Sequence, residues 1–433
     1  MDSSDDTIRK ISWPDVFPWL ILFRSIPVAA SISVMILALI GTVATPAGWL
    51  LSEAVFVRHQ MKVDDAVFAE AVEMNRSPFR AVFDASEKRG NFIEVFGAKL
   101  SGPRAVFMRL SDPFRQLFEL DQGAARLGYY FAGCAWTLAV WALIGCGITR
   151  ICLLRLTRDE SAGLDDAFDF ALPRFTHCLG AIGLPLLGVF VLVIPAMFIG
   201  LLMTFDLGLV VGALLWGFVL ICALLMTILL LGMFFSWPLV ISSISAESQS
   251  PLDAITRCFS YVFQRPFHYI FYVFVSVILG GICWLIVAQL ATGTVGMAQW
   301  AGSWGSNIAS GDRMAQITGL NELPFVAGNA TNNADKTLDS GLLVVGRSII
   351  SFWNGFVSTL AVAFLYGLFW CMSSCVYLLL RKDVDEVELD EVFVDEQSRA
   401  YDIPPLKTDA NGIPQIQPLD SPTVRDSDVT QLL

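Results

Sequence analysis

The sequence is short of charge and almost without histidine. Only 16% of its 433 residues are Asp, Glu, Lys or Arg, and three are His; soluble domains carry roughly a quarter charged residues. A phosphate loop, an HExxH pair, a GxSxG elbow and a zinc-ribbon spacing are all missing, so the enzyme classes those motifs define are not indicated. Nothing in the residues calls for a cofactor or a metal. A net charge of -12 gives no basic surface for nucleic acid.

Further absences narrow the reading. None of the nine cysteines falls in the two long polar segments, so no disulfide framework is implied. Cys371 and Cys375, at i, i+4, read as small packing residues. The N-terminal MDSSDDTIRK is acidic and no cleavable leader follows it closely. The first apolar run is therefore expected to act as an uncleaved anchor.

What is present is apolar residue in long runs, 55% of the chain. A crossing needs about 20 such residues, and six runs qualify: 26–52, 129–149, 177–205, 207–242, 268–292 and 348–380. The fold class expected is all-α, a polytopic membrane bundle of six transmembrane helices. The fourth run is too long for one straight crossing, and Pro238 is expected to break it near its end. No ionisable group lies in the middle of a run. That weighs against a proton- or sodium-coupled carrier of charged substrates and against a voltage sensor.

Positive charge sets the orientation. Arg9, Lys10 and Arg24 precede the first run, Arg150, Arg155, Arg158 and Arg174 lie between the second and third, Arg257 and Arg265 follow the fourth, and Arg381 and Lys382 follow the sixth. By the positive-inside bias both termini are cytoplasmic, in an inner (plasma) membrane. The expected organisation is a cytoplasmic N-terminal segment 1–25, a membrane domain 26–382 with extracytoplasmic loops 53–128 and 293–347, and an acidic tail 383–433. The tail is too polar to fold alone and is a candidate docking segment for a cytoplasmic protein partner. The lipid bilayer is the other partner.

Between two runs stands SAESQSPLDAITRCFSYVFQRPFHYIFY, residues 245–272. Ser250 can cap a helix, Pro251 suits its first position, and the Arg265-Pro266 step stops it. Asp253 and Arg257, at i, i+4, are expected to pair. Leu252, Ile255, Phe259, Val262 and Phe263 share a face, so the segment is expected to lie flat in the interface.

Residues 159–187 repeat the plan, with Pro173 as the stop, and residues 12–27 give a poorer copy. Amphipathic interfacial helices are thus expected before spans one, three and five. Arg174 and His177 in one copy match Arg265 and His268 in the other, 91 residues on. These four are the candidate interfacial anchors; two imidazoles alone make an incomplete metal site. Within loop one, SDPFRQLFEL (111–120) reads as a short amphipathic helix on the outer interface.

Two of these segments, AWTLAVWALIGCGITRICLLRLTRDE and SAESQSPLDAITRCFSYVFQRPFHYIFY, together with PPLKTDANGIP in the tail, resemble a family of uncharacterised multi-pass membrane proteins of planctomycete-type bacteria. The second segment is more distantly similar to YciC-like and glycerophosphodiester-phosphodiesterase-associated membrane domains. The resemblance implies a cytoplasmic-membrane location and carries no catalytic residues. The leading expectation is a non-enzymatic, membrane-organising or partner-binding protein. The rival is a carrier or conduit for lipids or uncharged solutes built from three helical-hairpin repeats, and an enzyme using loop-one carboxylates ranks last.

Overall fold

The computed structural model describes residues 17–57, 66–76, 102–118, 124–310 and 341–386. Among them the chain forms eleven α-helices and no strand. In order these are α1 (Ile21–Ala29), α2 (Ile32–Phe56), α3 (Ala66–Arg76), α4 (Gly102–Gln116), α5 (Ala124–Thr157), α6 (Leu164–Leu202), α7 (Asp206–Leu214), α8 (Trp216–Glu247), α9 (Pro251–Gln264), α10 (Pro266–Ser310) and α11 (Gly341–Asp385). Six of them (α2, α5, α6, α8, α10 and α11) are long and apolar enough to cross a membrane. The chain is an all-α, multi-pass membrane bundle.

The six crossings match the six apolar runs, but several boundaries differ. The fourth run is one crossing preceded by a short helix. The break falls at Leu215, not at Pro238, and α8 runs on to Glu247. Pro173 does not separate an interfacial helix from span three either; α6 passes through Pro173, Pro185 and Pro195.

A proline in a helix weakens the hydrogen bonds to the preceding turn, and the helix survives where another donor serves the carbonyls. Here the carbonyls three residues before Pro173 and before Pro238 each find one. Arg174 Nη1 donates to the Phe170 oxygen at 3.2 Å, and the Tyr269 hydroxyl donates to the Phe235 oxygen at 2.8 Å.

The segment before span one also differs from a flat surface helix. Leu22 and Ala29 of α1 are fully buried, and α1 packs against α11 and α5. The Ile21 carbonyl lies 3.9 Å from Cys375 Sγ, so α1 stands along span six before an extended Ser31 starts span one. The Ser12-x-x-Asp15 start, His59 and the tail beyond Glu386 lie outside the described residues.

Helix α9 follows the sequence closely. The Ser250 hydroxyl accepts from the Asp253 amide at 3.3 Å, Pro251 is the first helical residue, and Arg265 ends the helix with φ -126°. Its buried face is Ala254, Ile255, Cys258, Tyr261 and Val262, against α8 and α6, while Leu252 and Phe263 remain exposed. The segment thus has three sides, one on protein, one apolar and uncovered, and one polar.

Packing is uneven. The apolar window of span six is fully buried, whereas only 22% and 17% of those of spans three and four are covered by protein. Most of the covered core lies toward the end of the bundle that carries Arg150, Glu247 and Arg381.

Candidate functional site

Two places in the bundle gather polar groups that the core does not explain. The first is at the charged end, where Glu247 closes α8. Its carboxylate meets Arg381 Nε at 2.9 Å and accepts from the Tyr377 hydroxyl at 3.1 Å, and Arg257 and Gln249 donate to it as well. Arg257 therefore pairs with Glu247 across the α8–α9 turn; Asp253, its expected partner, instead accepts from the capping Ser250 hydroxyl at 2.6 Å.

Tyr261 and Tyr272 donate to Asp385 and Asp383 at the end of α11. Burial, and then the bond to Asp385, pushes the Tyr261 hydroxyl up from its ordinary value, and burial does the same for the Cys258 thiol. Beside this cluster Arg150, only 5% exposed, donates to the Ser245 carbonyl at 3.1 Å. Arg150, Arg257, Tyr261, Tyr272 and Tyr377 each meet an acceptor from a different helix, so the cluster is a lock joining α5, α8, α9, α10 and α11.

The candidate anchors separate here. The guanidinium of Arg174 lies 3.8 Å over the Phe170 ring and donates to the Ser248 hydroxyl at 2.6 Å, so it ties α6 to the start of the α9 turn. His177, Arg265 and His268 are exposed, and His268 has the Tyr272 ring 6.4 Å away. The matched positions in the two copies thus have unlike surroundings. Among the described residues no group of three or more His, Cys, Asp or Glu could hold a metal ion.

The second place is a chamber of about 460 Å³ walled by α4, α5, α6 and α8, with Trp370 of α11. Its depth follows from the chain. Trp141 lies nine residues before Arg150, Trp237 ten before Glu247 and Trp370 eleven before Arg381. At about 1.5 Å per residue that is roughly 14–17 Å from the charged end, the middle of a hydrocarbon layer about 30 Å thick.

Helix α4 is the unexpected wall. The sequence reads 111–120 as a helix on the outer interface, but α4 begins at Gly102 and lodges among the spans. A Cβ on Gly102 would stand 2.7 Å from Trp284, and one on Gly280 would stand 2.3 Å from Pro103, so these close approaches need glycine. Phe107 stacks on Trp237 at 5.6 Å, and Phe114 and Leu117 reach a second small core around Trp49, Tyr129 and Phe68. Pro103, Val106, Leu110 and Pro113 are its buried side.

The other side of α4 carries Arg104, Ser111, Asp112 and Arg115. Ser111, Asp112 and Arg115 line the chamber with Thr137; nearly every other lining group is apolar.

The spans themselves hold no mid-membrane charge, as the sequence indicates. The charge arrives on a loop helix, which hydropathy cannot place. Its signal is local: a Gly-Pro start followed by an apolar stripe at 103, 106, 110 and 113.

The fold and these two sites define a multi-pass helical membrane protein with an apolar chamber between α4, α5, α6 and α8. No family model matches the chain, and no curated protein or solved structure is significantly similar to it.

Proposed function

We propose that this protein handles lipid: its chamber takes up an acyl chain from the surrounding bilayer. The observation that carries the reading is the chamber itself, inside the 300–1,000 Å³ range of ligand sites, with apolar walls and a few polar groups. Its neighbours at that depth are acyl chains, so lipid needs no aqueous route to reach it. The reading favours a carrier or binder of lipids over a purely organising protein. It includes no catalytic step.

In this reading the charged lock and both termini face the cytoplasm and the protein sits in an inner membrane, an orientation supported by the positive-inside bias. The experiment is reconstitution of the full chain in liposomes. Labelled phospholipid should exchange between leaflets, or be retained by the protein, above the level of empty vesicles. A Leu186→Trp variant, which fills the chamber, should lose the effect. Wild type indistinguishable from both controls overturns the reading.

A second reading, docking of a cytoplasmic partner on the tail, is favoured by one observation: Tyr261 and Tyr272 fix Asp385 and Asp383, where the tail begins. A binding partner for the tail then meets a rigid root.

A further inference from the structure

Resting on the lipid-chamber reading, the geometry points to a ligand class: an acidic lipid whose chain fills the chamber and whose anionic oxygens meet Arg115. Two independent observations support this. First, three arginines and one aspartate lie on α4, a net positive helix packed against spans two, five and six. Arg104, Asp112 and Arg115 are not covered by protein. A cation facing hydrocarbon requires water or an opposite charge. Arg115 borders the chamber, and Asp112 three residues before it is the one acid on α4 against three arginines.

Second, Trp237 and Trp370 both line the chamber, and the buried indole N–H of each has no acceptor among the described residues. Trp370 is fully buried. The nearby Trp141, by contrast, donates to the Thr45 hydroxyl at 3.0 Å. Buried donors are nearly always satisfied, and an indole can only donate. A ligand with acceptor oxygens as well as hydrocarbon would satisfy an indole that turns toward it. A pure hydrocarbon fails the second condition, and a cationic amphiphile is repelled by the first. An ester-linked lipid with a phosphate meets both.

The test uses full-length protein, delipidated in detergent and re-exposed to phosphatidylglycerol or phosphatidylcholine with the same chains. Retained lipid is counted by native mass spectrometry, and circular dichroism checks that each variant stays folded. Wild type should retain phosphatidylglycerol about tenfold better, a ratio corresponding to about 1.4 kcal/mol. Arg115→Gln should lose that preference and Arg115→Lys should keep most of it. Trp237→Phe should weaken retention of both lipids about fivefold, the effect of one neutral hydrogen bond.

Equal retention of both lipids, unchanged by Arg115→Gln, overturns the inference and leaves the chamber reading standing. Retention of neither above the Leu186→Trp level overturns both.

Discussion

Glu247 and Arg381 meet at 2.9 Å with side chains only 14% and 9% exposed, joining the ends of spans four and six. An ion pair so covered is not in itself a large source of stability, because both charges lose their hydration. Its weight lies in what happens when one partner goes. Glu247→Gln leaves Arg381 buried and Arg257 without its carboxylate, and the expected cost is about 3 kcal/mol. Thermal unfolding in detergent checks this, and Glu247→Gln with Arg381→Met should recover part of the loss.

The same lock predicts a pH dependence. Tyr261 and Cys258 both have folded-state values raised chiefly by burial. A raised value means the folded state favours the protonated form. That contribution is complete below the unfolded values, about 8.5 for cysteine and about 10 for tyrosine, and is lost as pH rises through the folded values. Unfolding midpoints at pH 7 and 8 should coincide, and that at pH 10.5 should be lower. Tyr261→Phe should reduce the alkaline loss.

Ser250→Ala removes the side-chain acceptor for the Asp253 amide. Loss of such a cap costs about 1 kcal/mol, with α9 fraying from its start. Hydrogen exchange at the Asp253 and Ala254 amides should rise in the variant, with little change in α11.

Gly280→Val places a branched side chain where Pro103 already stands. Overpacking of this kind costs about 1–3 kcal/mol, and α4 is the element free to move. Proteolysis near α4 should quicken in the variant, while the charged end keeps its protection.

The topology has a direct check. Eight of the nine native cysteines are buried and the ninth is half-buried, so a membrane-impermeant maleimide meets little background. In intact cells a cysteine introduced at position 90 should react and one at position 420 should not. The reverse pattern inverts the proposed orientation.

The six crossings and the cap and stop of α9 were legible in the sequence, because run length and local backbone chemistry act within a few residues. The prolines misled for the opposite reason. Pro238 keeps its helix through the hydroxyl of Tyr269, 31 residues further along, a donor no local rule can supply. Arg257 was assigned to Asp253 by helical spacing, but Glu247 faces it from the preceding turn. His177 and His268 hold equivalent places in sequence, yet Arg174 beside the first is bound inward while Arg265 beside the second is exposed. The chamber was invisible because α4, which supplies its polar wall, belongs to a loop whose depth depends on which spans leave room for it.

The sparse cover on spans three and four has a mechanical consequence. Helix α6 has 39 residues, about 58 Å at 1.5 Å per residue, nearly twice the thickness of an oily layer of about 30 Å. A rod of that length must lean or protrude, and the lean depends on the membrane around it. With its root clamped by Arg174 and its upper reach unsupported, this hairpin is a lever that membrane thickness can swing, and Leu186 and Leu230 on its flank set the width of the space beneath.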